Sequence, residues 1–438
     1  MAIPKKYEEA THRAPRSTRY SWLYAALLAA SAVLLLWATN AGSAILQSDV
    51  EWYRLLALGQ KSVVMRPFAD RVLAPALVRG FSHVSGISID SGFLLLGIAN
   101  CWIFLCIVLQ PLLRNINTWL LAASVLLLPF WSTVFNDYYL PDLMHAALLA
   151  IYFFLLRRRN WAASAALLFL LFTARESTML LAVIAVPVLW RTIGRKTGMM
   201  HLLAAAAGMV VSSMAGRGGL PNAHGLNGPL YLLGKVPWNL SQNVLGIFLW
   251  SNTEPVHTPT HIFYLPHWLH LGGIHVIGFG AMNSQLPLIN MLFLMTAFGL
   301  APCILLLLTR RSSLRSLFPR DEPFLSICLL YGAASFLMTP ALGTGVSRLA
   351  GYAWPLFFIY LPEMLARHWR WRPTPAIVIL LLHLAVAWIV PLYVLTAKMS
   401  VQLALCIVLA LYALAAALLW RQLWQPTDNP LHTAPESG

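Results

Sequence analysis

The sequence predicts an all-α, polytopic membrane protein with about 12 transmembrane segments, within a range of about 10–13. Hydrophobic residues make up 59% of the 438 residues and charged residues only 10%, and the mean hydropathy is +0.69. Soluble domains carry about 25% charged residues. Apolar stretches of about 17–25 residues recur along the chain, which is the length that a helix needs to cross the hydrocarbon core. Because these stretches are continuous rather than alternating, they predict helices.

Two membrane modules and a long polar loop are predicted along the chain. A basic tail covers residues 1–19, the N-terminal module residues 20–215, the loop residues 216–285, the C-terminal module residues 286–420 and a second tail residues 421–438. Arginine and lysine concentrate in short segments on one side, and positive residues favour the cytoplasmic side. We therefore expect both tails to be cytoplasmic and the loop to lie outside.

The first predicted helix, about 20–40, is longer than the 7–15-residue core of a cleaved signal peptide, so we expect it to remain in the protein. The polar outer segment 41–91 carries leucine and valine at helical spacing, which predicts one or two amphipathic helices along the membrane surface. Three further helices are predicted at about 92–113, 118–135 and 143–156.

Residues 160–190 form an apolar stretch with a basic cluster at each end. A single crossing would place these clusters on opposite sides of the membrane, so the stretch predicts a hairpin of two short helices with Arg175 and Glu176 at its tip. Ionisable groups at membrane depth are costly and usually pair or line a cavity. The remaining helices are predicted at about 199–215, 286–309, 324–342, 350–366, 374–396 and 400–420.

The acidic residues between positions 10 and 320 all fall in segments that are predicted to lie outside. Asp and Glu contribute little to topology, so the positive-inside rule does not require this distribution. Carboxylates gathered at the outer ends of membrane helices therefore indicate a site. They are Asp49, Glu51, Asp70, Asp90, Asp137, Asp142, Glu176 and Glu254.

Two groups of charged residues in the first outer segment are candidates for chemistry. Asp49 and Glu51 follow the first helix, where a carboxylate can act as a general base, bind a metal or simply be solvated. Arg66 and Arg71 lie five residues apart, and guanidinium groups match the oxygens of phosphate. The alternative is a surface ion pair between Arg71 and Asp70, or contact with lipid headgroups.

Further charged residues continue this pattern along the chain. Asp137 and Asp142 flank a proline turn, where they could share a divalent cation, or Asp142 could cap the following helix. Arg175 and Glu176 could contact a lipid phosphate or form an internal ion pair. Arg348 lies in another segment predicted to be outside and offers a further cation.

The loop 216–285 contains six histidines. His257 and His261 have the i,i+4 spacing of a zinc-binding pair, but Pro255 and Pro259 argue against a continuous helix there. These side chains are therefore expected to contact an acceptor or to act in catalysis rather than to bind metal. The six are His224, His257, His261, His267, His270 and His275.

The order of these features resembles the GT-C superfamily of membrane glycosyltransferases, which use polyprenyl-phosphate-linked sugars. The resemblance rests on an acid shortly after the first helix, in Ser48-Asp49-Val50-Glu51, and on the run Arg66-Pro67-Phe68 followed by Arg71-Val72-Leu73-Ala74-Pro75. It includes Asp137 in the next outer segment and the Arg175-Glu176 pair, and it covers the first six helices best. No tight DxD motif is present in the sequence.

This resemblance implies transfer of a sugar from a polyprenyl-phosphate donor to an outer-face acceptor, which would be a cell-envelope glycan, a lipid or a protein. It also implies a bacterial inner membrane. Asp49 would be the general base, and Asp137 with Asp142 would hold Mg²⁺ or Mn²⁺. The residues implied in substrate binding are Glu51, Arg66, Arg71, Arg175, Glu176 and Arg348.

The sequence leaves two other functions open. An O-antigen polymerase or ligase-like enzyme would place histidines and arginines of the 216–285 loop at its catalytic site. A transporter or flippase of lipid-linked glycans would place ionisable groups near the membrane midplane and would often carry internal symmetry, which this sequence lacks. The net charge of +15 does not indicate nucleic-acid binding, because the basic residues are spread through the segments between helices.

Overall fold

Helices form most of the protein, because long apolar segments must satisfy their backbone hydrogen bonds internally when they lie in lipid. The structure is a computed structural model. It describes residues 18–40, 48–113, 119–129, 138–220, 229–251, 261–264, 266–269, 276–281, 285–311, 317–319, 321–343, 345–368 and 373–423.

The helices up to residue 245 are α1 Thr18–Asn40, α2 Ser48–Ala57, α3 Leu73–Ser85, α4 Ile89–Leu112, α5 Trp119–Leu126, α6 Pro141–Arg157, α7 Trp161–Ala174, α8 Thr178–Thr192, α9 Arg195–Ala215 and α10 Pro229–Leu245. Those that follow are α11 Leu286–Thr296, α12 Ala301–Arg311, α13 Pro323–Leu342, α14 Val346–Ala350, α15 Leu361–His368, α16 Pro373–Ile389 and α17 Val401–Leu423. Between α14 and α15 the chain stays helical through a 3-10 turn at Gly351–Ala353 and a π-helix at Pro355–Tyr360.

Six of the described helices are long and apolar enough to cross a membrane, and two bent helix pairs raise that number to at most eight. One pair, Leu286–Thr296 with Ala301–Arg310, is bent by 70°, and the other, Val346–Ala353 with Pro355–Ala366, is bent by 43°. The protein is therefore a polytopic helical membrane protein that lies in the lipid bilayer. The predicted count of about twelve segments is not confirmed, because helices such as α7 and α8 have only 14 and 15 residues.

The two short helices predicted for residues 160–190 are present as α7 and α8. Ser164 in α7 lies 3.0 Å from the His201 ring in α9, and Phe169 and Phe172 flank Gly208 further along both helices. Hence α7 and α9 run in the same direction and pack directly against each other. In the chain α8 connects them and runs the opposite way. The tip of this hairpin is the segment 175–177, as the sequence predicts.

Two helices occupy the segment 41–91, where amphipathic helices are predicted. Along α3, Ala74 and Val78 are buried, and Val78 packs against Gly92 at the start of α4. Leu77 and Phe81 on another face are half exposed. That these helices lie along the membrane surface stays a prediction, which the exposed apolar face of α3 favours.

The loop 216–285 contains a three-stranded antiparallel sheet, so the all-α prediction is wrong for this segment. The strands are β1 Ile247–Ser251, β2 His261–Tyr264 and β3 Val276–Ala281, in the order β1-β3-β2. Runs of aromatic and β-branched residues between turn residues favour strands of this short length. Just before β1, the Asn243 amide in α10 donates to the carbonyls of Pro340 and Gly343 at 2.8 and 2.7 Å, which fixes α10 to the end of α13.

The 70° break between α11 and α12 is satisfied by side chains from two neighbouring helices. The Leu300 N–H donates to His383 Nδ1 at 3.2 Å, and the Tyr412 hydroxyl donates to the Met295 and Gly299 carbonyls at 2.6 and 3.0 Å. Non-helical backbone is tolerated at membrane depth only where such partners exist. The backbone at this break is therefore hydrogen-bonded within the helical core.

A substitution at Gly208 tests the close packing of α7 against α9. A Cβ atom at this position would lie 2.7 Å from the Phe169 carbonyl oxygen and 2.8 Å from Phe172 Cβ. We expect Gly208→Val to lower the free energy of unfolding by about 1–3 kcal/mol, because overpacking forces the helices apart. Ala207→Val, on the exposed side of the same turn, is the matched control and should unfold in detergent like the wild type. Equal stability of both variants would contradict this packing.

Candidate functional site

Asp142 is the centre of a buried polar cluster at one end of the helical bundle. It lies in the first turn of α6, where a negative side chain is favoured by the helix dipole. Its Oδ1 accepts hydrogen bonds from Arg175 Nη1 at the hairpin tip and from the Tyr352 hydroxyl after α14. The Arg175 guanidinium also lies over the Tyr352 ring, 4.8 Å from its centroid. Three segments separated by up to 210 residues thus meet at one carboxylate.

Arg71 and Glu176 form a second ion pair beside the first. Arg71 Nε donates to Glu176 Oε2 at 2.8 Å and Nη2 donates to Oε1, so the pair is bidentate. Arg71 Nη1 donates to the Tyr53 hydroxyl at 2.7 Å, and Tyr53 is fully buried in α2. Burial raises the pKa of the Tyr53 hydroxyl, which keeps it neutral as an acceptor. Bidentate charge-assisted pairs of this kind are strong and geometrically specific.

The two ion pairs belong to one electrostatic unit, because Arg175 and Glu176 are consecutive in the chain. Arg348 also interacts electrostatically with Asp142. His145, three residues after Asp142, lies with Nε2 3.2 Å from the Thr178 hydroxyl. Of the charged residues that the sequence singles out, the structure brings together Arg71, Asp142, Arg175, Glu176 and Arg348. It adds Tyr53, His145 and Tyr352, which sequence analysis missed. We call this set the Asp142 cluster.

Several buried polar atoms of the Asp142 cluster have no hydrogen-bond partner among the residues that the structure describes. They are Arg175 Nε, His145 Nδ1 and, at the hairpin tip, Ser177 Oγ. Buried polar groups in proteins are almost always bonded, either to protein or to ordered water. Water or a polar ligand can supply the missing partners.

Asp49 and Glu51 lie on different faces of α2. Asp49 is half-buried and precedes Tyr53 by four residues, so both residues lie on the same helix face. Glu51 is exposed and accepts a hydrogen bond from Arg54 at 3.1 Å, and Arg54 also bonds Asp90 at 2.8 Å. Asp49 is thus placed one helical turn from the Arg71 side of the Asp142 cluster, whereas Glu51 belongs to an exposed ion-pair network.

Arg66 points to the end of α9. Its Nε donates to the Gly216 carbonyl at 3.4 Å and lies 3.7 Å from Asp70 Oδ1. The sequence-based alternative of an Arg71–Asp70 pair is wrong, since Arg71 pairs with Glu176 and Arg66 is the arginine beside Asp70.

At Asp142 one carboxylate oxygen, Oδ1, is engaged by a guanidinium and a hydroxyl. Among the described residues, no group of three or more His, Cys, Asp or Glu side chains could hold a metal ion. Asp137, the other predicted ligand, lies outside the described residues. Binding of Mg²⁺ or Mn²⁺ by this pair stays a prediction, and no chemical step below depends on it.

Comparison of this chain with protein-family models, with curated proteins and with solved structures finds no match. The site must therefore be interpreted from its own geometry.

Removing the Arg71 guanidinium tests the buried pair. Arg71→Met leaves Glu176 and Tyr53 without their partner, so we expect a loss of about 2–3 kcal/mol in the free energy of unfolding in mixed micelles. Arg54→Met is the matched control, because the Arg54 and Asp90 side chains are 37% and 48% exposed and such pairs contribute about 0–1 kcal/mol. Equal losses in the two variants would contradict the buried character of the Arg71 pair.

Asp70 provides a pH-dependent test. Burial raises the pKa of its carboxyl above the ordinary value of 3.8, and its Oδ1 accepts no hydrogen bond within the described residues. The folded state thus binds this proton more tightly than the unfolded state, and the resulting stabilisation is lost as the pH rises through the folded-state pKa. Asp70→Asn stays neutral, so its stability relative to the wild type should increase as the pH rises above about 4 and through the raised pKa of Asp70. A difference that is constant with pH would refute this assignment.

Proposed function

We propose that the protein is an integral membrane glycosyltransferase that moves a sugar from a polyprenyl-phosphate-type donor to an acceptor at the outer face of a bacterial inner membrane. The observation that carries the proposal is the Asp142 cluster. It gathers the guanidinium groups of Arg71, Arg175 and Arg348 near one end of the bundle, one helical turn from a carboxylate on α2. The order of these residues along the chain resembles the GT-C pattern.

Arg175 is the best placed of these cations to meet an anionic oxygen. Asp142 holds one of its Nη groups, Tyr352 packs under its plane, and Nε has no partner among the described residues. A guanidinium fixed in this way is a preorganised donor, and such donors stabilise charge that develops in a transition state. Arg71, which spends three N–H groups on Glu176 and Tyr53, would act mainly by holding Glu176 and α2 in position.

The proposed step requires one base and one stabilised leaving group. The acceptor hydroxyl oxygen attacks the anomeric carbon of the sugar, and the bond between that carbon and the phosphate oxygen breaks. The bonding electron pair leaves with polyprenyl phosphate, whose charge faces Arg175, and the hydroxyl proton passes to the Asp49 carboxylate. Each atom and charge is then accounted for without a further reactant.

The polarity of the bundle supports the proposed orientation. The Asp142 cluster lies at the N-terminal end of α6, whereas Arg157, Arg158 and Arg159 lie at its C-terminal end, about 25 Å away for a helix of 17 residues. Positive residues favour the cytoplasmic side. This distribution of charge supports cytoplasmic tails and an outer position of the Asp142 cluster.

The bent pair α11–α12 is the feature that would favour a transporter, because discontinuous helices often line transport sites. In this protein the Leu300 N–H and the Met295 and Gly299 carbonyls at the break are bonded to side chains. These backbone groups are therefore not available to bind a substrate, and we retain sugar transfer as the proposed function.

Asp49→Asn tests the proposed base. The wild-type protein in nanodiscs would be given polyprenyl-phosphate-linked hexoses and pentoses with cell-envelope extract as acceptor, and release of polyprenyl phosphate would be followed by mass spectrometry. We expect Asp49→Asn to slow release about 100-fold or more, because general-base catalysis contributes about 10²–10⁴-fold. Arg158→Gln, at the opposite end of α6 from the Asp142 cluster, is the control and should retain the wild-type rate.

Two histidine variants separate this function from the polymerase or ligase alternative. His261→Ala and His267→Ala change residues of the loop that carries the sheet. Loss of transfer in these variants together with normal activity of Asp49→Asn would contradict the proposal and favour a catalytic loop.

A further inference from the structure

A polar cavity lies at the opposite end of α6 from the Asp142 cluster. Its volume is about 200 Å³, whereas one water molecule needs about 10–15 Å³. The cavity is half-open and has room for a group of many atoms. It lies between the C-terminal end of α6 and the N-terminal ends of α7 and α13. Its charged and aromatic walls are Arg157, Arg159, Trp161, Asp321, Glu322 and Phe324.

Arg159 occupies a backbone position that normally belongs to glycine. The Asn160 N–H bonds the Leu155 carbonyl and the Arg159 N–H bonds the Leu156 carbonyl, each at 3.0 Å, which is the Schellman pattern of hydrogen bonds at a helix end. Arg159 itself has φ 56°, in the left-handed region. Glycine adopts this conformation without steric cost, whereas an arginine is strained there. From this position the Arg159 side chain borders the cavity.

Among the described residues, two arginines and two carboxylates line the cavity: Arg157, Arg159, Asp321 and Glu322. Arg157 pairs with Glu363, with Nη2 3.4 Å from Oε2, and lies over the Phe324 ring. Arg159 is exposed, and its Nη2 reaches the Asp321 backbone carbonyl at 3.5 Å. The exposed carboxylate of Asp321 is on the same wall. A ligand with net negative charge would meet the acidic side of this wall, so the cavity is complementary to a zwitterion.

The cavity lies at helix ends, and this position indicates that the zwitterion is a lipid headgroup. Helices α6, α7 and α13 end or begin there, and Trp161 lies at its edge, as aromatic residues do where lipid headgroups begin. We propose that the cavity binds the phosphoethanolamine headgroup of a membrane phospholipid. The phosphate contacts the Arg159 guanidinium and the primary ammonium donates to the Asp321 carboxylate. This site is independent of the proposed transfer reaction.

The ammonium contact distinguishes phosphatidylethanolamine from other lipids. A primary ammonium donates three hydrogen bonds to carboxylate or carbonyl oxygens, whereas the choline group of phosphatidylcholine donates none. Phosphatidylglycerol supplies the phosphate but offers the Asp321 carboxylate only neutral hydroxyl donors and no cation. Selectivity among lipids with the same acyl chains is therefore the property to measure.

The test uses the full chain, delipidated in detergent, with the three lipids added separately. We expect phosphatidylethanolamine to raise the unfolding temperature above the values with phosphatidylcholine or phosphatidylglycerol. Arg159→Gly should abolish this preference without lowering the lipid-free unfolding temperature, since glycine relieves the backbone. Arg158→Gln is the matched control, because Arg158 stacks on Phe154 outside the cavity, and it should keep the preference.

Asp321→Asn and a soluble probe complete the design. Asp321→Asn should reduce the stabilisation by phosphatidylethanolamine and increase that by phosphatidylglycerol. Free phosphoethanolamine is expected to stabilise the protein far less than the lipid, because it lacks the acyl chains. An equal response to all three lipids, retention of the preference in Arg159→Gly, or full stabilisation by free phosphoethanolamine would overturn the proposal.

Discussion

The ion pairs at the hairpin tip are the constraint on which one whole end of the bundle depends. A charged group at membrane depth is expensive unless it has a partner. Arg175 and Glu176 are adjacent in sequence, and they pair with different segments, Asp142 and Arg71. These two pairs hold the start of α6, which carries Asp142, and the segment before α3, which carries Arg71, against the hairpin tip. Tyr352 then ties the C-terminal half to the same point.

Charged side chains are accommodated differently at the two ends of α6. At the Asp142 end, guanidinium and carboxylate groups face each other inside the protein, and only a few polar atoms are left over. At the other end, Arg159 and Asp321 border a half-open cavity at the level where the apolar parts of the helices stop. The first arrangement suits a reaction that needs fixed charges, and the second suits exchange of a lipid.

Hydropathy and charge placement predict much of the helical framework, because both depend on properties of single segments. The first helix and the hairpin at 160–190 are examples, and the hairpin follows from its two basic ends. Partner choice depends instead on distant segments. Arg71 binds Glu176, 105 residues away, whereas its neighbour Asp70 lies beside the end of α9. Such a preference is invisible in the local sequence.

Some members of the Asp142 cluster did carry a local signal. Tyr352 follows Arg348 by four residues and His145 follows Asp142 by three, so each shares a helix face with a residue that the sequence had singled out. The strands around residues 247–281 gave less warning, because they have only four to six residues. Their apolar residues were equally compatible with an irregular loop.

The order in which the partners of Asp142 occur in the chain has a consequence for biogenesis. Arg175 follows Asp142 by 33 residues, and Arg71 precedes both. Insertion into the bilayer can therefore neutralise the buried charges of the N-terminal half while the ribosome is still translating the remainder. Tyr352 follows Asp142 by 210 residues, so the order of synthesis allows the Asp142–Arg175 pair to form before the C-terminal half is available to join it.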